Sequence, residues 1–211
     1  THFPSPEIPI SEINWNKDLV NLGRQLFYDP ILSKNGSISC ASCHSPYHAF
    51  AHVDHSLSHG IFDSILDRNA PALFNLAWGK SFMWDGAIHR LDAQPLAPIS
   101  DAREMGSSMK EVVRRLNLSP YKNWVIRKNL GDSFSSQLVL DALLQFQLRL
   151  VSAGSRYDSM KLGKLTFTSQ EKSGYQLFLK HCNGCHTEPL FTHGGFERNG
   201  LSLGYKRNGS K

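Results

Sequence analysis

Two cysteines followed at once by a histidine stand at residues 40–44, in the sequence CASCH. In a C-x-x-C-H motif, the two thiols add to the vinyl groups of a haem as thioethers, and the adjacent imidazole ligates the iron. The spacing serves this geometry, because one tight turn must present both sulfurs to the porphyrin edge while the next residue reaches the metal. Cys40 and Cys43 are therefore predicted to attach a haem, with His44 as its proximal ligand.

The same pattern returns at residues 182–186, where Cys182 and Cys185 precede His186 in the sequence CNGCH. A bare C-x-x-C also occurs in thioredoxin-like redox pairs and in zinc sites, but neither requires histidine in the fifth position. The two motifs use all 4 cysteines of the chain, which leaves none for a structural disulfide. Two covalently bound c-type haems are the favoured interpretation, with zinc or a disulfide as the alternative.

Composition and charge exclude several other classes of protein. The chain has a formal net charge of +5, but its basic residues are scattered and lack interleaved aromatic residues, which argues against nucleic-acid binding. It contains no apolar stretch of about 18 residues, so no membrane span is predicted. Covalent haem attachment takes place outside the cytoplasm, which for a bacterial protein predicts the periplasm. The amino terminus carries no charged and apolar leader, so any export signal is expected to have been removed.

Helical patterns dominate the chain. Residues 1–16 are rich in proline and are predicted to form an extended lead-in. Apolar residues at helical spacing then predict a helix from Lys17 to a stop at Asp29-Pro30. Capping-box patterns at Ser108 and Thr168 open two further helices, and residues 136–151, apolar on nearly every face, predict a buried helix. No alternating apolar strand of useful length occurs.

Two loop regions carry unusual side chains. The stretch after the first motif contains four histidines at a near-fourfold spacing that would align them along one side of a helix, namely His48, His52, His55 and His59. A solvated face or an adventitious metal site is the commonest meaning of such a stripe. Residues 82–86, in the sequence FMWDG, are predicted from their composition to form a buried aromatic loop.

An internal repeat indicates two lobes of common origin. The sequence GRQLF at residues 23–27 precedes the first haem motif, and GYQLF at residues 174–178 precedes the second. The predicted fold is therefore all-α, with two cytochrome c-like lobes that each carry one covalent haem. The expected division places the lead-in at 1–16, the first haem domain at 17–160 and the second at 161–211.

These motifs together resemble the bacterial di-haem cytochrome c peroxidases and the related MauG-type enzymes. The resemblance includes the two haem motifs and four further segments in the family's order, namely residues 22–27, 68–71, 82–86 and 104–106. It implies a first haem that reacts with hydrogen peroxide and a second, high-potential haem that accepts electrons. The electrons would come singly from a small periplasmic cytochrome c or copper protein.

The resemblance also assigns roles to individual residues. Trp84 matches the tryptophan that relays electrons between the haems, although a tryptophan taken alone more often belongs to a core. Gln94, Pro98 and Glu104 match the family's peroxide pocket in type and spacing. Asn69 matches a ligand of the family's calcium ion, so one calcium is expected.

Glu104 is the candidate acid and base, because heterolytic splitting of the O–O bond moves a proton from one peroxide oxygen to the other. Gln94 would orient peroxide or a water, and Pro98 would limit access. Without the resemblance, the alternative role of Glu104 is that of an acid at a helix start near Ser108.

Distal ligands differ between the two predicted haems. In many of these peroxidases, a histidine on a mobile loop ligates the first haem in the oxidised state, and His59, beside Gly60, is the match, with His55 as its substitute. The family's distal ligand for the second haem lies well beyond the second motif, and the sequence given ends 25 residues after His186. None of the 4 methionines is a convincing substitute.

Two alternative functions stay open. A plain di-haem electron carrier would have no use for a distal acid, which argues against that alternative. A MauG-type enzyme would oxidise residues of a partner protein rather than consume peroxide alone. Relatives are often homodimers, so the resemblance makes a homodimer a candidate assembly for this protein.

Overall fold

The computed structural model describes residues 2–197, and their regular structure is helical. The α-helices are, in chain order, α1 (Lys17–Tyr28), α2 (Cys40–Cys43), α3 (Leu96–Ser100), α4 (Met109–Leu118), α5 (Tyr121–Arg127), α6 (Ser136–Leu148), α7 (Arg156–Lys161) and α8 (Ser169–His181). Among the described residues, strand pairing is limited to isolated bridges, so the all-α class is confirmed. Within the same residues, no helix is both long and apolar enough to cross a membrane.

The helix ends follow the local signals of the sequence. Helix α1 begins at Lys17, as predicted, because the Asn16 side chain accepts hydrogen bonds from two backbone N–H groups of the first turn. At Thr168 the capping box is complete, with the Glu171 carboxylate accepting from the Thr168 N–H at 2.8 Å. At Ser108 only the hydroxyl half forms, because the Glu111 carboxylate binds two arginines of α4 instead.

The chain divides into two compact units. The N-terminal unit comprises Ser5–Ala153, and the C-terminal unit comprises residues 2–4 and 154–197 of the described chain. The division falls earlier than the boundary expected after residue 160, so α7 groups with α8. In the C-terminal unit, the Glu188 carboxylate accepts hydrogen bonds from the phenols of Tyr157 on α7 and Tyr175 on α8, at 2.6 and 2.7 Å.

Helices α1 and α6 cross closely and form the core of the N-terminal unit. The crossing point is Gly23, where an added Cβ would collide with the backbone carbonyl of Ala142 on α6. Leu26, one turn further along α1, is fully buried in the same cluster as Phe146 of α6. As predicted, α6 is buried on most of its faces.

The repeated glycine has a different environment in the second copy. An added Cβ at Gly174 on α8 would meet nothing within 4 Å, and Leu177, the counterpart of Leu26, is 60% exposed. At the repeated glycine and leucine, only the first copy is therefore packed closely against a second helix within the described residues.

Alanine substitutions at the two repeated glycines should have opposite effects on stability. Gly23→Ala is expected to lower the free energy of unfolding by about 1–3 kcal/mol, because the extra methyl forces α1 and α6 apart. Gly174→Ala is the matched control and should raise helix stability by up to about 1 kcal/mol, since alanine is the better helix former in open space. Denaturant unfolding followed by circular dichroism measures both, and equal effects would contradict the packing difference.

Candidate haem and peroxide site

Helix α2 is the single turn that carries the first C-x-x-C-H motif. The Ser39 N–H donates to the Ser42 hydroxyl at 3.0 Å, and the His44 N–H donates to the Cys40 carbonyl at 2.9 Å, so the turn is closed at both ends. Burial raises the pKa of the Cys40 thiol to about 12 and also raises that of Cys43. Both sulfurs are therefore held as neutral thiols, which disfavours a reactive redox pair at this motif.

The His44 imidazole is oriented for ligation of a metal. Its Nδ1 lies 2.8 Å from the Phe50 carbonyl oxygen, and because a carbonyl only accepts, Nδ1 carries the proton and Nε2 is the nitrogen with the lone pair. Burial lowers the pKa of His44, which favours the neutral imidazole that ligates iron.

The second motif repeats this arrangement around His186. Its N–H donates to the Cys182 carbonyl at 2.9 Å, and its Nδ1 lies 3.2 Å from the Phe191 carbonyl oxygen. Phe50 and Phe191 both have a φ of 58°, a left-handed conformation that turns the carbonyl back toward the imidazole. The two motifs thus fit haem ligation in the same way, although Cys182 and Cys185 are exposed.

A cavity of about 590 Å³ lies inside the N-terminal unit, next to the first motif. Its volume is in the range of sites for small ligands and cofactors. It brings together most of the predicted site residues, namely Cys40, Cys43, His44, Asn69, Trp84, Gln94, Pro98 and Glu104. Apolar side chains complete the lining, among them Phe27, Leu73, Leu91 and Leu143. The two thiols, the His44 imidazole and the apolar walls fit a haem.

Glu104 lies in this cavity and not at a helix start. The amide of Glu104 donates to the Asp101 carboxylate at 3.3 Å, and its carbonyl accepts from the Ile61 N–H at 2.9 Å. Burial is the main cause that raises the pKa of Glu104, and the Asp101 charge adds to it against the opposing effect of Arg103. Ser108 caps α4 through Glu111, so the alternative role of Glu104 as a helix-start acid is not what the fold uses.

Gln94 and Pro98 lie on either side of the start of α3. The Gln94 side-chain amide donates to the Met83 sulfur at 3.5 Å, and the Pro98 carbonyl accepts from the Met105 N–H at 3.0 Å. Since Met105 follows Glu104 directly, the Pro98 carbonyl fixes the backbone beside the acid.

The segment 82–86 is not the buried loop predicted from its composition. Phe82 is buried, but Trp84 is 58% exposed and lines the cavity. The Trp84 indole N–H donates to the backbone carbonyl of Asn69 at 2.7 Å. The Asn69 side-chain amide in turn donates to the carbonyls of His55 and Ser56, which connects this loop to the histidine stretch.

The histidine stretch forms no α-helix between residues 48 and 59. Instead, the rings of His52, His55 and His59 follow one another, with centroids 5.8 and 4.8 Å apart. The His59 ring does not line the cavity, because its Nδ1 is 2.6 Å from the Asp63 carboxylate. Its backbone carbonyl, in contrast, lies 3.5 Å from the Cys43 sulfur.

The loop that carries His59 is tied to the backbone of Glu104. Besides the hydrogen bond from Ile61, an added Cβ at Gly60 would collide with the Arg103 carbonyl, so glycine is required for this close approach. In the sequence, Gly60 is notable only as the neighbour of the predicted ligand His59. In the structure it is the contact point between the loop and the acid.

Several residues of the site were missed by sequence reasoning. The carbonyls of Phe50 and Phe191 orient the two imidazoles, and the recurrence of a phenylalanine six and five residues after the motif histidine could have indicated them. Arg103 pairs with Asp67 at 2.8 Å on the cavity lining, and no local sequence signal predicts this pair.

Together, the helical fold and the two C-x-x-C-H motifs define a haem protein of the cytochrome c class, in which one motif opens on a cavity that contains a carboxylic acid. Residues 17–166 match the family described as di-haem cytochrome c peroxidase. This chain belongs to that family, and membership supports two haems.

Individual relatives agree with this assignment. The chain is 37% identical over 210 residues to the methylamine utilization protein MauG of Methylorubrum extorquens, covering 96% of this chain and 59% of that protein. It is 30% identical over 204 residues to cytochrome c551 peroxidase of Nitrosomonas europaea, covering 90% of this chain and 58% of that protein.

The fold is also similar to solved structures. The crystal structure of a MauG-like protein associated with microbial copper homeostasis matches with a TM-score of 0.78 and 30% identity, over 93% of this chain and 60% of that one. The chain thus spans less than two thirds of the length of these relatives.

Proposed function

We propose that this protein is a cytochrome c peroxidase that reduces hydrogen peroxide to water with electrons from a small cytochrome c or copper protein. The observation that supports this most directly is the convergence of Gln94, Pro98 and Glu104 on the cavity beside Cys40, Cys43 and His44. An electron carrier has no use for a carboxylic acid at that place.

Two lobes, each with one covalent haem, are part of this proposal. Cys40 and Cys43 would hold the first haem by thioethers with His44 as proximal ligand, and Cys182, Cys185 and His186 would hold the second in the same way. When bound, the haems supply irons that bind peroxide and store electrons.

Side chains of the protein would carry out the proton transfers. The Glu104 carboxylate takes a proton from one peroxide oxygen and returns it to the other oxygen, which leaves as water. Its raised pKa brings proton exchange closer to neutral pH, where a carboxylate with an ordinary pKa would be a poor acid. The Gln94 amide donates to peroxide and orients it, while Pro98 limits access to the cavity.

Trp84 and Asn69 also have roles in this function. Trp84, on the cavity lining, carries electrons from the second haem to the first. The Asn69 side chain contributes one ligand to a calcium ion. The protein resides in the periplasm, where c-type haems are attached.

A MauG-type activity is the second candidate, and the 37% identity to the Methylorubrum extorquens protein is compatible with it. In that case the two electrons that reduce peroxide to water would be removed from side chains of a partner protein. The same cavity serves both functions, since both begin with peroxide at the acid.

Peroxide-dependent oxidation of a reduced small cytochrome c tests the proposal. We expect two donor molecules to be oxidised for each peroxide consumed, because splitting peroxide to water takes two electrons. A spectrum that does not change on adding peroxide, before or after one-electron reduction, would support the plain carrier. Peroxide consumption without donor oxidation would support the MauG-type function.

His59 is proposed as the gating ligand of the first haem. To reach the iron, its ring would have to leave its contact with Asp63. Because Gly60 and Ile61 are fixed on the Glu104 backbone, the ring can turn inward only if this loop shifts. His59→Ala is expected to change the optical spectrum of the oxidised protein, and His55→Ala serves as the control. An unchanged His59→Ala spectrum would eliminate His59, and a change in the control alone would assign the ligand to His55.

A further inference from the structure

Met83 lines the cavity, and its thioether lies beside the Gln94 side chain. The residue has a φ of 69° in a short loop that is closed by paired hydrogen bonds between Phe82 and Ile88. Its sulfur accepts a hydrogen bond from the Gln94 amide at 3.5 Å, and its side chain is 37% exposed. A molecule of peroxide hydrogen-bonded to Gln94 would therefore lie in contact with this sulfur.

The other methionines lack one or both of these features. Met105 also lines the cavity but is only 4% exposed, and Met109 and Met160 are half-buried and do not line the cavity. Among the methionines of the described residues, Met83 thus combines an exposed side chain with a contact to Gln94.

We propose that Met83 is a site of oxidation by hydrogen peroxide, which limits the enzyme's own turnover when peroxide exceeds the electron supply. This inference rests on the proposed function, because peroxide must enter the cavity. Thioether sulfur is readily oxidised to the sulfoxide by peroxides.

The reaction balances with groups that the cavity contains. A sulfur lone pair attacks one peroxide oxygen and the O–O bond breaks, so sulfur loses two electrons and peroxide gains them. The departing hydroxide takes a proton from the Glu104 carboxylic acid and becomes water. The hydroxyl on sulfur then loses its proton to the Glu104 carboxylate, which restores the acid and leaves methionine sulfoxide.

Oxidation would alter the role of Gln94. A sulfoxide oxygen is a stronger hydrogen-bond acceptor than a thioether sulfur, so it would hold the Gln94 amide more firmly than peroxide can. The peroxide-orienting donor would be occupied and turnover would fall. Methionine sulfoxide is reducible by dedicated reductases, so the loss would be reversible.

Mass spectrometry of the oxidised holoprotein tests the site without any variant. The protein, with no electron donor present, is treated with increasing hydrogen peroxide, digested and scored for sulfoxide at each methionine. A parallel sample receives chloramine-T, an oxidant that reports exposure alone. We expect the ratio of Met83 to Met109 oxidation to be about tenfold higher with peroxide than with chloramine-T. Equal ratios with the two oxidants would overturn the proposal, since exposure alone would then explain the reaction.

Turnover measured on the same samples separates the two proposals. In the wild type, the loss of turnover rate should increase in proportion to the amount of sulfoxide at Met83. The Met83→Leu protein, in which the change conserves volume, is compared with its own initial rate, and its fractional loss should be smaller by at least about fivefold. Rate loss that is identical in both proteins would overturn the self-limiting role. If the enzyme turns over but its methionines are oxidised only according to their exposure, the oxidation site at Met83 is refuted and the peroxidase function is not. If Met83 is oxidised selectively but no turnover is detected, the peroxidase function is refuted and the oxidation site is not.

Discussion

Replacing Glu104 with glutamine is expected to lower peroxide turnover by about 10²- to 10⁴-fold, the usual contribution of a positioned acid and base. Glutamine keeps the shape and the hydrogen-bonding capacity of the side chain but can neither accept the peroxide proton nor return it. Stopped-flow mixing with peroxide measures the loss directly. Glu12→Gln, in an exposed carboxylate of the lead-in, is the control and should leave the rate unchanged.

The pH dependence gives a second signature of Glu104. Turnover that needs the carboxylate should rise with pH through the raised pKa of Glu104, and this limb should disappear in Glu104→Gln. A Glu104→Gln protein with wild-type rates and the same pH profile would remove Glu104 from the mechanism.

The stability of the fold should also depend on the protonation of Glu104, but it should fall with rising pH where turnover increases. In the unfolded chain, the Glu104 carboxyl titrates near the ordinary value of 4.5, whereas in the folded protein its pKa is higher. Between these two values the folded protein binds a proton that the unfolded chain has released. The free energy of unfolding therefore falls as pH rises through this window, and Glu104→Gln should flatten that part of the curve.

Replacing Cys40 and Cys43 with serine should remove one of two covalent haems from the chain. Serine cannot form the thioethers, so the haem content measured by the alkaline pyridine spectrum is expected to fall by about half. The matched variant, with serine at Cys182 and Cys185, should lose the other haem to the same extent.

The two double variants also test zinc and disulfides as alternatives. If either motif held zinc or formed a disulfide, its variant would leave the haem content unchanged, and a zinc site would also lose its bound zinc. A haem that remains covalently bound in a denaturing gel when all 4 cysteines are replaced would contradict the assignment of both motifs.

Local patterns were sufficient for much of the helical structure. The start of α1 at Lys17 and the caps at Ser108 and Thr168 were predictable, because a cap depends on side chains within a few residues of the helix end. The burial of α6 was predictable for a similar reason, since a helix with apolar residues on nearly every face is stable only inside a protein.

Other interpretations failed where a tertiary contact outweighed local composition. The segment 82–86 appeared buried because it is aromatic, but Trp84 borders a cavity and is largely exposed. The histidine spacing is compatible with a helix, but the chain there forms turns instead, tied to the Glu104 backbone through Gly60 and Ile61.

The sequence by itself determined the haem chemistry, because the C-x-x-C-H motif requires only five adjacent residues held in one turn. Only the tertiary structure decided that Gln94, Pro98 and Glu104 share a cavity with Cys43 and that the His59 ring lies outside it. Such positions depend on how α1, α6 and the intervening loops pack, and packing is a property of contacts between residues far apart in the chain. A motif can therefore specify which cofactor is bound, whereas the surroundings of that cofactor are set by the whole fold.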